Sequence, residues 1–209
     1  MSRRRLPRSF YERTAVQVAP ALLGRTLVRR LPDGSRISGR IVETEAYEPR
    51  DPASHGFRGP TPRNEVMFGK AGHLYVYFTY GNHWMMNVVT RRAGEGSAVL
   101  LRAAEPMEGH ELMARARGRD GVTELCSGPG KLAQALRVDR SLDGADLVRG
   151  NDVWLEWGAP PPRSRIATSR RIGIRVGVER RWRFYVAGDP FVSPGRPSPP
   201  TGPPRIPRR

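Results

Sequence analysis

The sequence predicts an α+β fold: one domain over residues 1–193, built on a curved, mostly antiparallel β-sheet with flanking helices and a protruding β-hairpin. Three observations predict it. HLYVYFTYGNHWMMNVVT, residues 73–90, places aromatic and β-branched runs either side of Gly81-Asn82, the pattern of a hairpin. TLVRRLPDGSRISGRIVETE, residues 26–45, reads as a second hairpin turning at Pro32-Asp33-Gly34. The remaining strand-like and helix-like stretches are mixed without a regular βαβ alternation, which argues against a parallel sheet.

The elements follow in order. The first twelve or so residues are basic and are expected to fray. TAVQVAPALLG (14–24) reads as a short helix closed by Gly24, with Pro20 near a boundary or kink. Residues 48–65 are rich in proline, glycine and charge, and form a loop directly after a strand that carries carboxylates. SAVLLRAAEP (97–106) predicts a strand and EGHELMARARG (108–118) a helix. SGPGKLAQALRV (127–138) predicts another helix, capped by Ser127 with Pro129 in its first turn. Strands are expected again at 152–157, 171–175 and 182–188. Eight of the last twenty residues are proline, so the Pro/Arg-rich tail from residue 194 to 209 is expected to be disordered or extended.

Charge narrows the function. There are 36 Lys and Arg against 20 Asp and Glu, a net +16 over 209 residues, and only Lys70 and Lys131 are lysines. An excess of this size fits a polyanionic partner, because each neutralised phosphate releases condensed counterions. Nucleic acid is expected rather than a membrane surface, since no long basic amphipathic helix is visible. The single Cys126 excludes an intrachain disulfide, a four-cysteine zinc site and a cysteine-ligated iron–sulfur cluster. His55, His73, His83 and His110 lack paired-ligand spacing, so no metal and no cofactor is expected. Without a membrane-length apolar run or a signal-peptide h-region, the chain is read as cytoplasmic.

RIVETEAYEP (40–49) raises the chemical question. Glu43 and Glu45 share one strand face, with Tyr47 next on the same side. In LYVYFTY, Tyr75 is read as core, whereas Tyr80 at the hairpin tip can act as a wedge between bases. A three-residue loop, Gly81 to His83, would set Tyr77 opposite Asn87. Hydrolysis of an N-glycosidic bond passes through an oxocarbenium-like transition state. A cationic alkylpurine leaves readily, so one carboxylate that activates water can suffice, and the same cation is attracted to a tyrosine face.

ALLGRTLVRRLPDGS, GRIVETEAY, TPRN, GHLYVYFTYGNHWMMN, VLLRAAEP, ELCSGPGKLAQAL and RFYVAGDPFVS together resemble the alkyladenine (3-methyladenine, or methylpurine) DNA glycosylase family, over roughly residues 5–193. The resemblance implies a monomeric, nucleoid-associated enzyme of base excision repair that flips damaged purines out of double-stranded DNA. It implies Glu45 as the water-activating base and Arg102 as the residue positioning water and phosphate. It further implies Tyr47 and Tyr77 as stacking walls and His55 as a hydrogen-bonding contact to the base edge. Asn87 would reject guanine through its exocyclic amine, and Tyr80 would intercalate. Glu43 is expected to be structural, paired with an arginine. Lys131, behind a helix cap with no paired acid, does not suggest a Schiff-base lyase. A non-catalytic nucleic-acid-binding module is the alternative reading.

Overall fold

The two longest strands pair along their lengths and carry the rest of the molecule. They are β2 (Arg36–Tyr47) and β5 (Ser97–Glu108), and they are antiparallel. The opposite edge of β2 is divided between two partners. β1 (Thr26–Arg30) lies along residues 36–40, and β8 (Arg183–Val186) lies along Glu43, Thr44 and Glu45. Beyond β5 come β4 (His83–Thr90) and then β3 (Leu74–Thr79). On the far side, β6 (Val153–Glu156) pairs with β1, and β7 (Ile166–Ser169) pairs with β8. Every one of these ladders is antiparallel, and the resulting α+β domain is a sheet curled into a half-barrel with few helices. The computed structural model describes residues 4–79 and 81–199, so Tyr80 and its expected wedge role lie outside the described residues.

Helices cover one face. They are α1 (Arg8–Tyr11), α2 (Ala15–Leu22), α3 (His110–Arg117), α4 (Val122–Leu125) and α5 (Pro129–Ala135). The start of α2 is a capping box: the Thr14 hydroxyl accepts from the Gln17 N–H, and the Gln17 side chain accepts from the Thr14 N–H, each at 3.2 Å. Pro20 lies in its last turn, and the helix stops two residues later. Gly24 follows at φ +81, where a side chain would collide with the Ala159 carbonyl at 2.2 Å. Leu22, Ile41, Leu101 and Leu132 are all fully buried in the core between this helical layer and the sheet. Each contributes about 1.5–3 kcal/mol by the usual transfer scale.

The faces of β2 are therefore unlike. The Thr44 hydroxyl donates to the Ala19 carbonyl of α2 at 2.9 Å, so beyond the ladder irregularity after Ile41 the even-numbered side chains point to the helices. Glu43, Glu45 and Tyr47 point the other way. That second face carries a smaller cluster of Met67, Tyr75, Val89 and Ala98, with Tyr47 and Tyr77 against it. Because β5 and β8 flank residues 43–45 on both edges, this stretch is buried throughout instead of alternating.

Four expectations are corrected. The N-terminal segment is tied down from residue 4 onward: Leu6, Phe10 and Tyr11 are buried, and the Arg8 guanidinium donates to Asp146 at 2.7 Å. Residues 171–175 are irregular, because Gly173 stands at φ +76 and breaks the extended run. Ser127 does not cap α5. It bridges Ala103 in a strand-like pair, leaving Gly128 as the N-cap and Pro129 as the first helical residue. Finally, the hairpin ladder closes at Thr79 opposite His83, so Tyr77 faces Met85 and Tyr75 faces Asn87. The shift is by two positions, which preserves the faces: Asn87 still shares a surface with Tyr75 and Tyr77.

Candidate active site

One transverse row of the sheet builds the site. Glu45 pairs with Leu100, Leu100 with Asn87, and Asn87 with Tyr75, across four strands. Directly paired residues share a face, so Leu100, Asn87 and Tyr75 form the floor of a cavity of about 400 Å³, with Glu45 buried at the end of the row. Tyr47, His55, Tyr75 and Tyr77 line it on the aromatic side, and residues 172–176 line it from the irregular loop before β8. The volume lies in the range of small-ligand sites.

Arg102 reaches this floor through an irregularity in the β2–β5 ladder. Glu43 pairs with Ala103 but Thr44 pairs with Leu101, so Arg102 has no opposite number and is turned toward the carboxylates. Such bulges re-aim side chains. Its Nε donates to Glu43 Oε1 at 2.7 Å, and its Nη1 forms an ion pair with Glu45 Oε2 at 3.3 Å. Burial opposes the charge on Arg102, but Glu45 and Glu43 outweigh it and hold its pKa above the ordinary value.

The two glutamates differ in what they touch. Glu43 Oε1 accepts from Arg102 and from Arg183, both at 2.7 Å, and its Oε2 accepts from the Ser193 N–H at 2.8 Å. Burial pushes this carboxyl up, yet Arg102 and Arg183 together hold it below the ordinary carboxylate value. Glu43 is thus a structural hub, as its sequence context predicts. Glu45 accepts fewer hydrogen bonds. Its Oε1 accepts from the Ile172 backbone N–H at 2.8 Å, and its Oε2 accepts from the Tyr47 hydroxyl at 2.9 Å. Two hydrogen bonds leave acceptor capacity for a water. The Glu45 carboxylate is itself fully buried, but Tyr47, Leu100, Arg102 and Ile172, which surround it, all line the cavity.

The aromatic wall is cross-braced. His55 Nδ1 lies 3.0 Å from the Tyr75 hydroxyl, and the His55 ring meets Tyr77 edge-on at 4.5 Å between centroids. The outer side of His55 is open, but its packed inner side is desolvated. That burial, with Arg63 nearby, lowers its pKa. Burial also raises the Tyr75 hydroxyl to about 12, so it is a neutral hydrogen-bonding group. Asn87 Nδ2 donates to the Tyr75 carbonyl at 3.2 Å, which fixes the amide against the floor. Behind Tyr47, the Arg171 guanidinium lies 4.6 Å from the ring centroid and is forked onto Asp51.

The structure therefore brings together Glu45, Arg102, Tyr47, His55, Tyr77 and Asn87 around one cavity. Sequence reasoning missed Tyr75, taken as core; its place two residues before Tyr77 was the available signal. It also missed Ile172, which a motif of polar residues cannot reveal because the contribution is a backbone N–H. Among the described residues, no group of three His, Cys, Asp or Glu is placed to hold a metal ion, and no helix is long and apolar enough to cross a membrane.

The family profile described as methylpurine-DNA glycosylase matches residues 9–190 of this chain. The chain is 47% identical over 188 residues to a protein of Carboxydothermus hydrogenoformans, covering 90% of this chain and 98% of the relative. It is 49% identical over 195 residues to one of Chlorobium phaeovibrioides, covering 93% and 99%. A protein of Mesorhizobium japonicum is 51% identical over 176 residues, covering 84% of each chain. All three carry the name "Putative 3-methyladenine DNA glycosylase". The class is that of DNA glycosylases, hydrolases that cleave N-glycosyl bonds in base excision repair. The chain belongs to the methylpurine-DNA glycosylase family.

Proposed function

We propose that this protein is a monofunctional DNA glycosylase that acts as a monomer on duplex DNA. Its substrates are alkylated or deaminated purines: 3-methyladenine, 7-methylguanine, ethenoadenine and hypoxanthine. The observation that carries the reading is a buried Glu45–Arg102 pair set directly behind the wall of an aromatic cavity. A basic chain has little use for a carboxylate there unless the acid does chemistry.

In this reading the target nucleotide leaves the stack and its base enters between Tyr47 and Tyr77. Stacking contributes about 1–3 kcal/mol per base, which offsets the few kcal/mol of unstacking. His55, with its pKa lowered, is neutral near pH 7 and meets the base edge without adding positive charge. Asn87 excludes the exocyclic amine of guanine. Glu45 accepts a proton from a water whose oxygen attacks C1′, and the electrons of the broken C–N bond leave with the purine. Arg102, paired with Glu45 at 3.3 Å, orients the water and the target phosphate. Neither Lys70 nor Lys131 lines the cavity, which supports hydrolysis without a Schiff-base step.

The test uses single-turnover reactions on end-labelled duplexes carrying hypoxanthine, ethenoadenine or 7-methylguanine, beside an undamaged control. Free base should appear from lesion duplexes, and strand breaks only after alkali. Strand scission without alkali would refute the monofunctional assignment. Tight binding with no base released from any duplex would leave a binding module instead.

A further inference from the structure

We propose that the segment Pro194–Ser198 is a strap that holds the cavity loop in register, and that Ser198 is a positioning residue for Glu45. It deepens the glycosylase reading and lies beyond the matched span of residues 9–190. The loop from Arg171 to Val176 has no helix or strand, so its backbone groups need partners elsewhere. Two of them are found on a single tail residue. The Ser198 N–H donates to the Arg171 carbonyl at 2.9 Å, and the Ser198 hydroxyl accepts from the Ile174 N–H at 3.1 Å. Ser198 is 5% exposed. Between those two anchor points stands Ile172, whose N–H holds Glu45 Oε1 at 2.8 Å.

The strap is shaped for this contact. Pro197 and Pro199 flank Ser198 and have no N–H, so Ser198 supplies the only amide donor of that triplet. A residue before proline is confined to extended conformations, which pre-orders the segment. Gly195 lies flat on Ile172: a β-carbon there would stand 3.1 Å from Ile172 Cδ1 and 3.8 Å from Arg102 Nη2. The strap thus fixes Ile172 by its side chain and by the backbone on either side of it. Glu45 and Arg102 are the groups those contacts immobilise.

The test compares the full-length protein with Ser198→Ala, Ser198→Thr and Gly195→Val in three measurements. These are single-turnover base release from a hypoxanthine duplex, lesion-duplex affinity, and amide hydrogen exchange over residues 171–176. Loss of one neutral hydrogen bond predicts a fall in rate constant of about 3–10-fold for Ser198→Ala. Affinity should change little, exchange at Ile172 and Ile174 should quicken, and Ser198→Thr should recover the rate. Gly195→Val should reproduce the defect. Wild-type rate and exchange in Ser198→Ala would overturn the proposal, and so would a rate loss with loop exchange unchanged. If the wild type releases no base, the glycosylase reading fails while the exchange data still decide the strap.

Discussion

The Tyr47 hydroxyl donates to Glu45 Oε2 at 2.9 Å, tying the expected stacking wall to the expected base. Ring and hydroxyl can therefore be separated by mutation. Tyr47→Phe should retain lesion binding and lose about 1–3 kcal/mol of stability through the buried oxygen left short of a donor. Tyr47→Ala should in addition weaken lesion binding by about 1–3 kcal/mol. Equal lesion affinities for the two variants, by fluorescence anisotropy, would argue that the ring does not stack on the base.

Glu43 should govern stability more than chemistry. Glu43→Gln leaves Arg102 and Arg183 buried with one carboxylate fewer, which should destabilise the fold by about 3–5 kcal/mol. The folded pKa of Glu43 lies below its ordinary 4.5, so its contribution is present above pH 4.5 and is lost as the pH falls through the folded value. Denaturant melts of wild type should show this acid loss, and melts of Glu43→Gln should show less of it. Identical pH dependence in both proteins would contradict the hub.

Much of this was legible in the chain, and the failures have physical causes. The hairpin at 74–90 and the carboxylate strand stand out because aromatic and β-branched residues suit a pleated, half-buried surface. Their joint burial of Glu45 was not legible. It depends on β8, about 140 residues downstream, closing the second edge of β2 at Glu43 to Glu45. RIGIR has a strand's composition, yet Gly173 turns it into a loop that offers an N–H rather than a ladder. Tyr75 is fully packed, as its core reading expects, and it also lines the cavity, which that reading did not foresee.

His55 predicts the acid limb of activity. Burial with Arg63 sets its pKa below 6.5, so it is neutral at pH 7 and gains charge only as the pH falls below that value. A cationic His55 would repel an alkylated purine, and excision of 7-methylguanine should decline on this limb. His55→Gln should remove that component; an unchanged pH profile would exclude His55 from the base contact.

Asn87 should act on selectivity. Asn87→Ala opens space beside the floor and removes the amide that meets the purine edge. Excision of unmodified guanine relative to 7-methylguanine should rise by about 10-fold or more. The ratio is measured by base release from paired duplexes, and no change would move the discrimination to another residue.

The most direct measurement is single-turnover base release by Glu45→Gln on a hypoxanthine duplex, with binding followed in parallel. The substitution keeps size and one acceptor oxygen but cannot take a proton from water. Retained affinity with a rate constant lowered by about 10²–10⁴-fold is the predicted result. Base release at the wild-type rate would contradict the assignment of Glu45 as the group that activates water.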